Sequence, residues 1–193
     1  MRKKFLNALL KKVISMKYLK IPKARIGALV GHNGETKKMI EEVAKLHIEI
    51  DSVEGEAIID ERKAKDPLLG LQVEGVIRAI GRGFSPEHAM RLFKEDTDFF
   101  VFDIHDYVGK KVTHVRRLKS RIIGRNGKTK HLMESLTGAD ISIYGHTVSV
   151  IADFESIDIA KKAIDMLLSG SKHSNVYRFV EREMKKLRRE QRF

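Results

Sequence analysis

Residues 29–37, LVGHNGETK, and residues 122–130, IIGRNGKTK, are two versions of one short pattern. They lie 93 positions apart, agree at five of nine positions and both begin with two aliphatic residues. Each contains Gly-x-x-Gly, followed by a variable residue, threonine and lysine. Similarity at a fixed offset is typical of an internal repeat, so the chain is predicted to contain two copies of one structural unit.

The same order of elements follows both stretches. Apolar residues at helical spacing predict a helix directly after each loop, and two short alternating segments then predict a pair of strands. A turn joins these strands, at Gly55 in the first copy and at Gly145 in the second. An apolar helix closes each copy, over residues 68–80 and 156–170.

A strand and a short helix precede each loop. In the first copy the strand is KYLKIP (17–22). In the second copy the repeat offset indicates that the strand is KKVTH (110–114). The apolar-polar alternation of FFVFDIHDY (99–107) is better, so we predict the strand there, with a small insertion around Gly109. The predicted order in each copy is therefore β-α-α-β-β-α.

The end of the second stretch, Gly-Lys-Thr at 127–129, also matches the end of a nucleotide-binding phosphate loop. The full phosphate-loop pattern needs a glycine at position 122, where this chain has an isoleucine. A β-branched residue does not replace glycine there, because it disfavours left-handed backbone angles. The first copy has Gly34-Glu35-Thr36 and lacks the lysine. The shared feature is Gly-x-x-Gly, and no nucleotide site is expected.

Positive charge is concentrated in three segments of the 193-residue chain, whose formal net charge is +12. Residues 1–25 and residues 107–130 each contain nine Lys or Arg and no acid, and residues 172–193 contain eight basic and three acidic residues. The remainder of the chain is net negative. This separation favours a polyanionic partner; solvated basic ends are the alternative interpretation for the two terminal segments.

The chain contains no cysteine, which excludes disulfides and thiolate metal sites. Its basic start lacks the uninterrupted apolar stretch and cleavage site of a signal peptide, and no apolar run approaches the length of a membrane span. We therefore expect a cytoplasmic protein that does not associate with membranes.

An aliphatic-Gly-x-x-Gly turn between two helices, within the order β-α-α-β-β-α, resembles the K-homology (KH) domain of type I. The resemblance implies an α+β fold with two tandem type I KH domains, each a three-stranded sheet with helices on one face, followed by a C-terminal helix. The implied bounds are 16–84 for the first domain and 98–170 for the second. A basic segment at 1–15, a connecting helix at 85–97 and a basic helix at 171–193 complete the chain.

Three further features narrow the resemblance. Lys37 and Lys130 replace an isoleucine that many KH domains have, residues 81–93 read GRGFSPEHAMRLF, and residues 169–179 read SGSKHSNVYRF. Together they look like the archaeal partner-of-NOB or Dim-type KH proteins, which assemble the small ribosomal subunit. This resemblance implies a non-catalytic protein without a cofactor that binds single-stranded RNA near the 3′ end of small-subunit ribosomal RNA. The implied protein partners are the endonuclease that matures that end and the alpha subunit of translation initiation factor two.

KH loops hold about four nucleotides of RNA backbone, because glycines let the backbone approach and the following helix directs its N–H groups at phosphate. The bases lie in a groove between the helix before the loop and the middle strand of the unit. In the second copy the resemblance assigns Arg121, Ile122, Ile123, Gly124, Arg125, Asn126, Gly127, Lys128, Lys130 and Ile141 or Ile143. In the first copy it assigns Arg25, Leu29, Val30, Gly31, His32, Asn33, Gly34, Lys37, Ile48 and Ile50.

Some of these residues have a second interpretation. Packing in the core is the alternative for the aliphatic residues, and tolerance of the turn geometry is the alternative for Asn33 and Asn126. The copies also differ, since Arg125 and Lys128 occupy the positions of His32 and Glu35. We therefore predict that the second copy is the main RNA site.

Other functions compete with RNA binding as interpretations of the sequence. An enzyme would use Asp103-Ile104-His105-Asp106, but the other seven histidines show no recurrent ligand spacing, so neither a catalytic nor a metal site is expected. A KH protein of transcription or messenger RNA turnover, or a scaffold that binds mainly protein, stays open. In the C-terminal segment, a stripe of apolar residues predicts a helix that docks on the second domain: Tyr177, Val180, Met184 and Leu187.

Overall fold

The computed structural model of the protein describes residues 16–62 and 66–191. The basic segment predicted at 1–15 lies outside the described residues. The described part of the chain divides into two compact units, which meet in sequence between Phe93 and Lys94.

The first unit contains one sheet and a set of helices. Its strands are β1 (Met16–Lys20), β2 (His47–Asp51) and β3 (Glu56–Asp60). Its α-helices are α1 (Lys23–Val30), α2 (Glu35–Ala44), α3 (Pro67–Gly81) and α4 (Pro86–Ala89), and single 3-10 turns occupy His32–Gly34 and Met90–Phe93.

The second unit repeats this order and extends it. Its strands are β4 (Thr97–Asp103), β5 (Asp140–Tyr144) and β6 (Thr147–Asp153). Its α-helices are α5 (His105–Val108), α6 (Val112–Ile123), α7 (Lys128–Thr137), α8 (Phe154–Leu168) and α9 (His173–Glu190), with a 3-10 turn at Arg125–Gly127.

The described strands form two three-stranded antiparallel sheets with the same topology, β1-β3-β2 and β4-β6-β5. The last strand of each unit is central, and the strand that is second in the chain lies at an edge. Ile48 faces Ile59 across the first edge pair, and Ile141 faces Val150 across the second. The edge position brings β2 and β5 beside the helix that follows each loop. These are the strands expected to form one wall of the base groove, with the helix before the loop as the other wall.

The core of the second unit lies between its sheet and its helices. Buried residues of α8, including Ile157, Ala160 and Ile164, pack with Val150 of the central strand and with Leu118 of α6. Complete burial of one such large aliphatic side chain contributes about 1.5–3 kcal/mol to stability. The apolar residues of α8 therefore hold α6, and with it the loop, in place on the sheet.

Helix α9 docks on this core, as the apolar stripe predicted. Val180 and Met184 are buried, and Tyr177 and Leu187 are partly buried against the same cluster. Val176, which was not part of the predicted stripe, is also fully buried. The docked face leaves the basic face of α9 exposed.

The strand chosen for the second copy is confirmed, because β4 runs from Thr97 to Asp103 and residues 112–123 are helical. The predicted strand was too long at its end, since residues 105–108 form the helical turn α5. That turn ends at Gly109, whose φ of +65° favours glycine. This turn lies between β4 and the helix before the loop, at the insertion predicted around Gly109.

The segment predicted as a connecting helix over 85–97 is broken in the structure. Helix α4 ends at Ala89, a 3-10 turn ends at Phe93, and β4 already begins at Thr97. Ala89 and Leu92 are buried, and Leu92 approaches Gly75 of α3, so this segment packs as part of the first unit. No helix within residues 16–62 and 66–191 has the length and apolarity needed to cross a membrane.

Candidate nucleic-acid interface

The two Gly-x-x-Gly loops have the same backbone conformation. Gly31 and Gly124 end the preceding helices at φ/ψ of 75°/177° and 73°/175°, and the second glycines, Gly34 and Gly127, are left-handed at φ of 79° and 77°. Each first glycine donates its N–H to the carbonyl four residues earlier, over 2.9 Å in both copies. The sequence repeat is therefore a repeat of backbone geometry.

The first glycine is required for two separate reasons. Its combination of φ and ψ lies in a region that is essentially confined to glycine. A Cβ at Gly31 would also lie 2.6 Å from the backbone nitrogen of Thr36, and one at Gly124 would lie 2.7 Å from that of Thr129. Thr36 and Thr129 are themselves buried, so the loop closes tightly on the start of the following helix.

The tip of each loop is exposed and contains an asparagine in a left-handed conformation. Asn33 has φ of 50° and Asn126 has φ of 54°. Asparagine tolerates this region better than most residues, which supports the interpretation that these residues suit the turn. His32 and Arg125, the other two residues at the tips, are exposed as well.

A helix begins directly after each loop. The N-cap residues of α2 and α7 are Gly34 and Gly127, which offer no side-chain acceptor to the first-turn N–H groups. The first N–H of each helix donates to a loop carbonyl, Glu35 to His32 and Lys128 to Arg125. A helix N-terminus without a side-chain cap, at the positive end of the helix dipole, favours an anion such as phosphate. The first turn of α2 contains the acid Glu35, whereas that of α7 begins with Lys128 and has no acid.

Arg25 and Arg121 contact the end of the closing helix of their own unit. Arg25 donates from Nε to the Ile80 carbonyl at 2.8 Å and from Nη2 to the Phe84 carbonyl at 2.6 Å. Arg121 donates from Nε to the Leu167 carbonyl at 3.3 Å and from Nη2 to the Ser171 carbonyl at 2.6 Å.

These two arginines occupy different turns of their helices, yet they reach equivalent carbonyls. Ile80 and Leu167 are both the penultimate residues of a closing helix, and the second acceptor lies four residues later in each unit. A guanidinium is well placed there, because it satisfies carbonyls at the negative end of the helix dipole. We describe this arrangement as the arginine clamp, and it fixes α1 or α6 against the closing helix.

Lys37 and Lys130 also make the same contact in both units. Lys37 Nζ lies 3.8 Å from Glu41 Oε1, and Lys130 Nζ lies 3.3 Å from Glu134 Oε1. The glutamates in turn accept the backbone N–H groups of the edge strands, Glu41 from Ile48 at 2.7 Å and Glu134 from Ile141 at 2.9 Å. The lysine therefore neutralises a carboxylate that ties the helix after the loop to the edge strand.

The aliphatic residues assigned to the base groove divide into two sets. Leu29, Ile48, Ile122 and Ile141 are buried in the core, with at most 2% of their surface exposed. Val30, Ile50, Ile123 and Ile143 are only partly buried. Core packing therefore accounts for the first set, and the second set offers apolar surface to a ligand.

Two contacts beside the second loop were not expected from the sequence. The hydroxyl of Tyr177 donates to Thr129 Oγ1 at 3.0 Å, and His173 Nε2 lies 2.9 Å from the carbonyl oxygen of Arg121. Both residues belong to the first two turns of α9, so this helix braces the loop. The apolar stripe indicated that α9 docks, but a stripe alone does not indicate where.

Asp103 and His105, which the sequence offered as the candidate for an enzyme site, form a cluster with His146, whose position the spacing of histidines did not indicate. Their ligand atoms lie within 4.8 Å of one another. His105 Nδ1 is 3.3 Å from Asp103 Oδ1, and His146 Nε2 is 3.5 Å from Asp103 Oδ2. The rings stack with centroids 4.4 Å apart and planes inclined by 14°. Lone pairs of nearly parallel rings do not converge on one point, so we assign this cluster to holding the β5–β6 turn against the end of β4.

Tyr107 anchors α5 to the closing helix of the second unit. Its hydroxyl donates to Asp165 Oδ1 at 3.0 Å. Burial, together with the hydrogen bond to this carboxylate, raises the pKa of Tyr107 to about 12. The neutral phenol is thus the form that the fold stabilises.

In the second unit, a helix-Gly-x-x-Gly-helix on a three-stranded antiparallel sheet defines a class of protein, the KH-domain proteins of type I. A family model of the second KH domain of PNO1-type proteins, described as a eukaryotic type KH-domain (KH-domain type I), matches residues 98–185.

Comparison with known proteins gives relatives that cover nearly the whole chain. The KH domain-containing protein MJ0443 of Methanocaldococcus jannaschii is 44% identical over 175 residues, which are 91% of this chain and 77% of that protein. The crystal structure of Dim2p from Pyrococcus horikoshii is 43% identical, with a TM-score of 0.80 over 86% of this chain and 98% of that chain.

A further solved structure is that of an a/eIF2alpha–aDim2p–rRNA complex from Pyrococcus horikoshii. It matches at 42% identity with a TM-score of 0.82, over 89% of this chain and 94% of that chain. The chain belongs to the PNO1/Dim2 family of KH-domain proteins.

Proposed function

We propose that the protein binds single-stranded RNA through its Gly-x-x-Gly loops and acts in assembly of the small ribosomal subunit. The observation that carries the proposal is the second loop, where exposed Arg125 precedes an uncapped helix that begins with Lys128. Basic side chains beside a helix N-terminus that has no side-chain cap suit RNA phosphates. Support also comes from a protein 42% identical to this chain, which was solved in an a/eIF2alpha–aDim2p–rRNA complex.

The RNA that we propose is the 3′ region of small-subunit ribosomal RNA. KH domains take single-stranded segments, because splayed bases expose their edges in the groove. In the second unit, the partly buried side chains of Ile123 and Ile143 are the apolar surface for those bases, and the backbone of Gly124–Gly127 faces the phosphates. Ile122 and Ile141 support this surface from the core.

We propose that the second unit dominates binding. Arg125 and Lys128 add two positive charges where the first unit has His32 and Glu35. Glu35 stands at the N-terminus of α2, where it stabilises the helix but repels an anionic ligand. The first unit has the same element order and the same loop conformation as the second unit. We therefore propose that the first unit is also a KH domain and that its loop is an auxiliary RNA site.

Arg25, Arg121, Lys37 and Lys130 have positioning roles in this proposal. The arginines fix the helix before each loop, and the lysines neutralise Glu41 and Glu134 at the edge strand. Phosphate contact by these four residues, which the family resemblance implied, is secondary to those internal contacts.

We propose that the protein is a binding factor of the cytoplasm and not an enzyme. Its proposed protein partners are the alpha subunit of translation initiation factor two and the endonuclease that matures the rRNA 3′ end. The first of these is supported by the a/eIF2alpha–aDim2p–rRNA complex of the Pyrococcus relative. The second rests on the family resemblance.

The test is a pair of loop substitutions with matched chemistry. Arg125→Asp with Asn126→Asp is expected to weaken binding of an RNA from the 3′ end of small-subunit ribosomal RNA by at least about tenfold, since phosphate contact is replaced by repulsion. His32→Asp with Asn33→Asp is expected to weaken it only a few-fold, because that loop already contains an acid. Fluorescence anisotropy with labelled RNA measures both, and circular dichroism checks the fold.

The same experiment separates RNA binding from a scaffold function. If both variants bind RNA like the wild type, the loops are not the RNA site and a mainly protein-binding scaffold becomes the better interpretation. Crosslinking to total RNA followed by sequencing distinguishes ribosomal RNA from messenger RNA. Enrichment of messenger RNA alone would favour transcription or messenger RNA turnover instead.

A further inference from the structure

A basic groove lies beside the second loop, between helices α6 and α9. It has a volume of about 710 Å³, and its lining includes Arg116, Arg117, Ser120, Arg125, His173 and Tyr177. We call it the α6–α9 groove. Ile123 and Ile143 do not line it, so it is a different surface from the one proposed for the bases.

The charge of the groove is of one sign and is uncompensated. None of its lining residues, all of which lie in the described part of the chain, is acidic. Arg116, Arg117 and Arg125 are exposed, and within residues 16–62 and 66–191 they form no hydrogen bond or ion pair through their side chains. Three arginines with free guanidinium groups around one groove are suited to an anion that presents several oxygens, such as a chain of phosphates.

The two aromatic residues that line the groove are held in place by internal contacts. Tyr177 is fixed by its bond to Thr129, and His173 by its contact with the Arg121 carbonyl. Arg121 itself is held in the arginine clamp, which leaves Arg116, Arg117 and Arg125 as the groups available to a ligand. The groove thus combines aromatic side chains held by internal contacts with arginines that are free to bind a ligand.

This groove belongs to the second unit specifically. Helix α6 has 12 residues, whereas its counterpart α1 has eight. The repeat offset places Lys23 and Ala24 of the first unit opposite Arg116 and Arg117, so one of the two charges has no counterpart there. The longer helix and its second arginine extend the basic surface beyond the loop.

We propose that the α6–α9 groove binds phosphates of the RNA that flanks the nucleotides held at Gly124–Gly127. The inference rests on the proposed function, because Gly124 and Arg125 line both the loop and the groove and one strand can pass continuously from one to the other. That continuity favours RNA over an acidic protein segment. The groove would lengthen the bound RNA beyond the roughly four nucleotides of a single KH domain.

The test compares a short and a long RNA from the 3′ end of small-subunit ribosomal RNA, of about five and about twelve nucleotides, since one KH domain holds about four. Wild-type protein is expected to bind the long RNA more tightly. Arg116→Gln with Arg117→Gln is expected to weaken the long RNA about five- to tenfold and to leave the short RNA within about twofold, because only flanking phosphates are lost.

A charge-matched control is available on the same unit. Lys185→Gln with Lys186→Gln also removes two positive charges from exposed positions, but neither lysine lines the groove. This control is expected to bind both RNAs like the wild type at physiological salt. Weakening by the control equal to that of the groove variant would show a general charge effect and would overturn the inference.

The outcomes separate the groove from the loop. If Arg125→Asp with Asn126→Asp abolishes binding while the groove variant binds the long RNA like the wild type, the proposed function stands and the groove inference is wrong. A groove variant that then loses binding of a polyglutamate peptide identifies an acidic protein segment as the occupant. If wild-type protein binds neither RNA, both proposals are wrong.

Discussion

The first glycine of each loop occupies a backbone conformation that other residues enter only with strain. Gly124 combines φ of 73° with ψ of 175°, and a Cβ there would meet the backbone nitrogen of Thr129 at 2.7 Å. Gly138, which ends α7, has a similar φ of 71° but is left-handed and has open space where a Cβ would be. Gly124 therefore combines a backbone region confined to glycine with steric overlap, whereas Gly138 has only the milder strain of a left-handed residue.

Gly124→Ala is therefore expected to lower the free energy of unfolding by about 3 kcal/mol or more, as strain and overlap add. Gly138→Ala is expected to cost about 1 kcal/mol, because a left-handed alanine is strained but does not collide. Urea denaturation followed by circular dichroism measures both. Equal losses in the two variants would contradict the close packing of the loop against Thr129.

Residue-scale prediction from sequence was most reliable where one residue decides its own conformation. The repeat indicated the loop glycines, and the turn geometry suggested for Asn33 and Asn126 is what the structure shows. Where the chemistry depends on a partner, sequence was less informative. The resemblance assigned Arg25 and Arg121 to the RNA site, and it did not indicate that their guanidinium groups donate to carbonyls at the end of the closing helix.

The arginine clamp acts at the scale of elements, since it joins the helix before the loop to the end of the closing helix. Arg121→Ala removes two charge-assisted hydrogen bonds from a partly buried site and is expected to lower the free energy of unfolding by about 1–2 kcal/mol. Arg121→Lys is expected to recover only part of this, because an ammonium does not reproduce the fork of a guanidinium.

Arg117→Ala is the matched control for the clamp on the same helix, because Arg117 is exposed and forms no side-chain hydrogen bond or ion pair among the described residues. It is expected to change stability by less than about 0.5 kcal/mol. Chemical denaturation measures all three variants. If Arg121→Ala is as stable as Arg117→Ala, the clamp does not stabilise the unit and phosphate contact regains priority for Arg121.

At the scale of the whole molecule, function depends on how positive charge is distributed along the chain. Three basic segments have formal charges of +9, +9 and +5 in a chain whose net charge is +12, and the second of these segments contains the loop with Arg125 and Lys128. Binding that depends on phosphate contacts weakens with salt, because the counterions that binding releases from RNA gain less entropy when the surrounding salt concentration is high. The salt dependence of affinity therefore counts the phosphates that the protein contacts.

Each phosphate contact on single-stranded nucleic acid contributes about 0.7 to the slope of log affinity against log salt concentration. Arg125→Gln with Lys128→Gln removes two such contacts and is therefore expected to reduce the magnitude of the slope by about 1.4. His32→Gln with Glu35→Gln, at the equivalent positions of the first loop, is expected to leave the slope nearly unchanged. Anisotropy titrations at several salt concentrations provide both slopes. A larger change from the first-loop variant would mean that the first unit is the main RNA site.

The sequence by itself determined the repeat, the Gly-x-x-Gly loops, the order of elements and the docking of the last helix on the second unit. These features are local, because glycine angles, the alternation of strands and helical spacing depend on neighbouring residues. Only the tertiary structure decided which atoms the functional side chains contact. The bonds from Arg25 to Ile80, from Arg121 to Leu167 and from Tyr177 to Thr129 join residues 46 to 55 positions apart. Such pairs meet because helices pack on a common core, and no periodicity in the chain specifies which turn of one helix faces which turn of another.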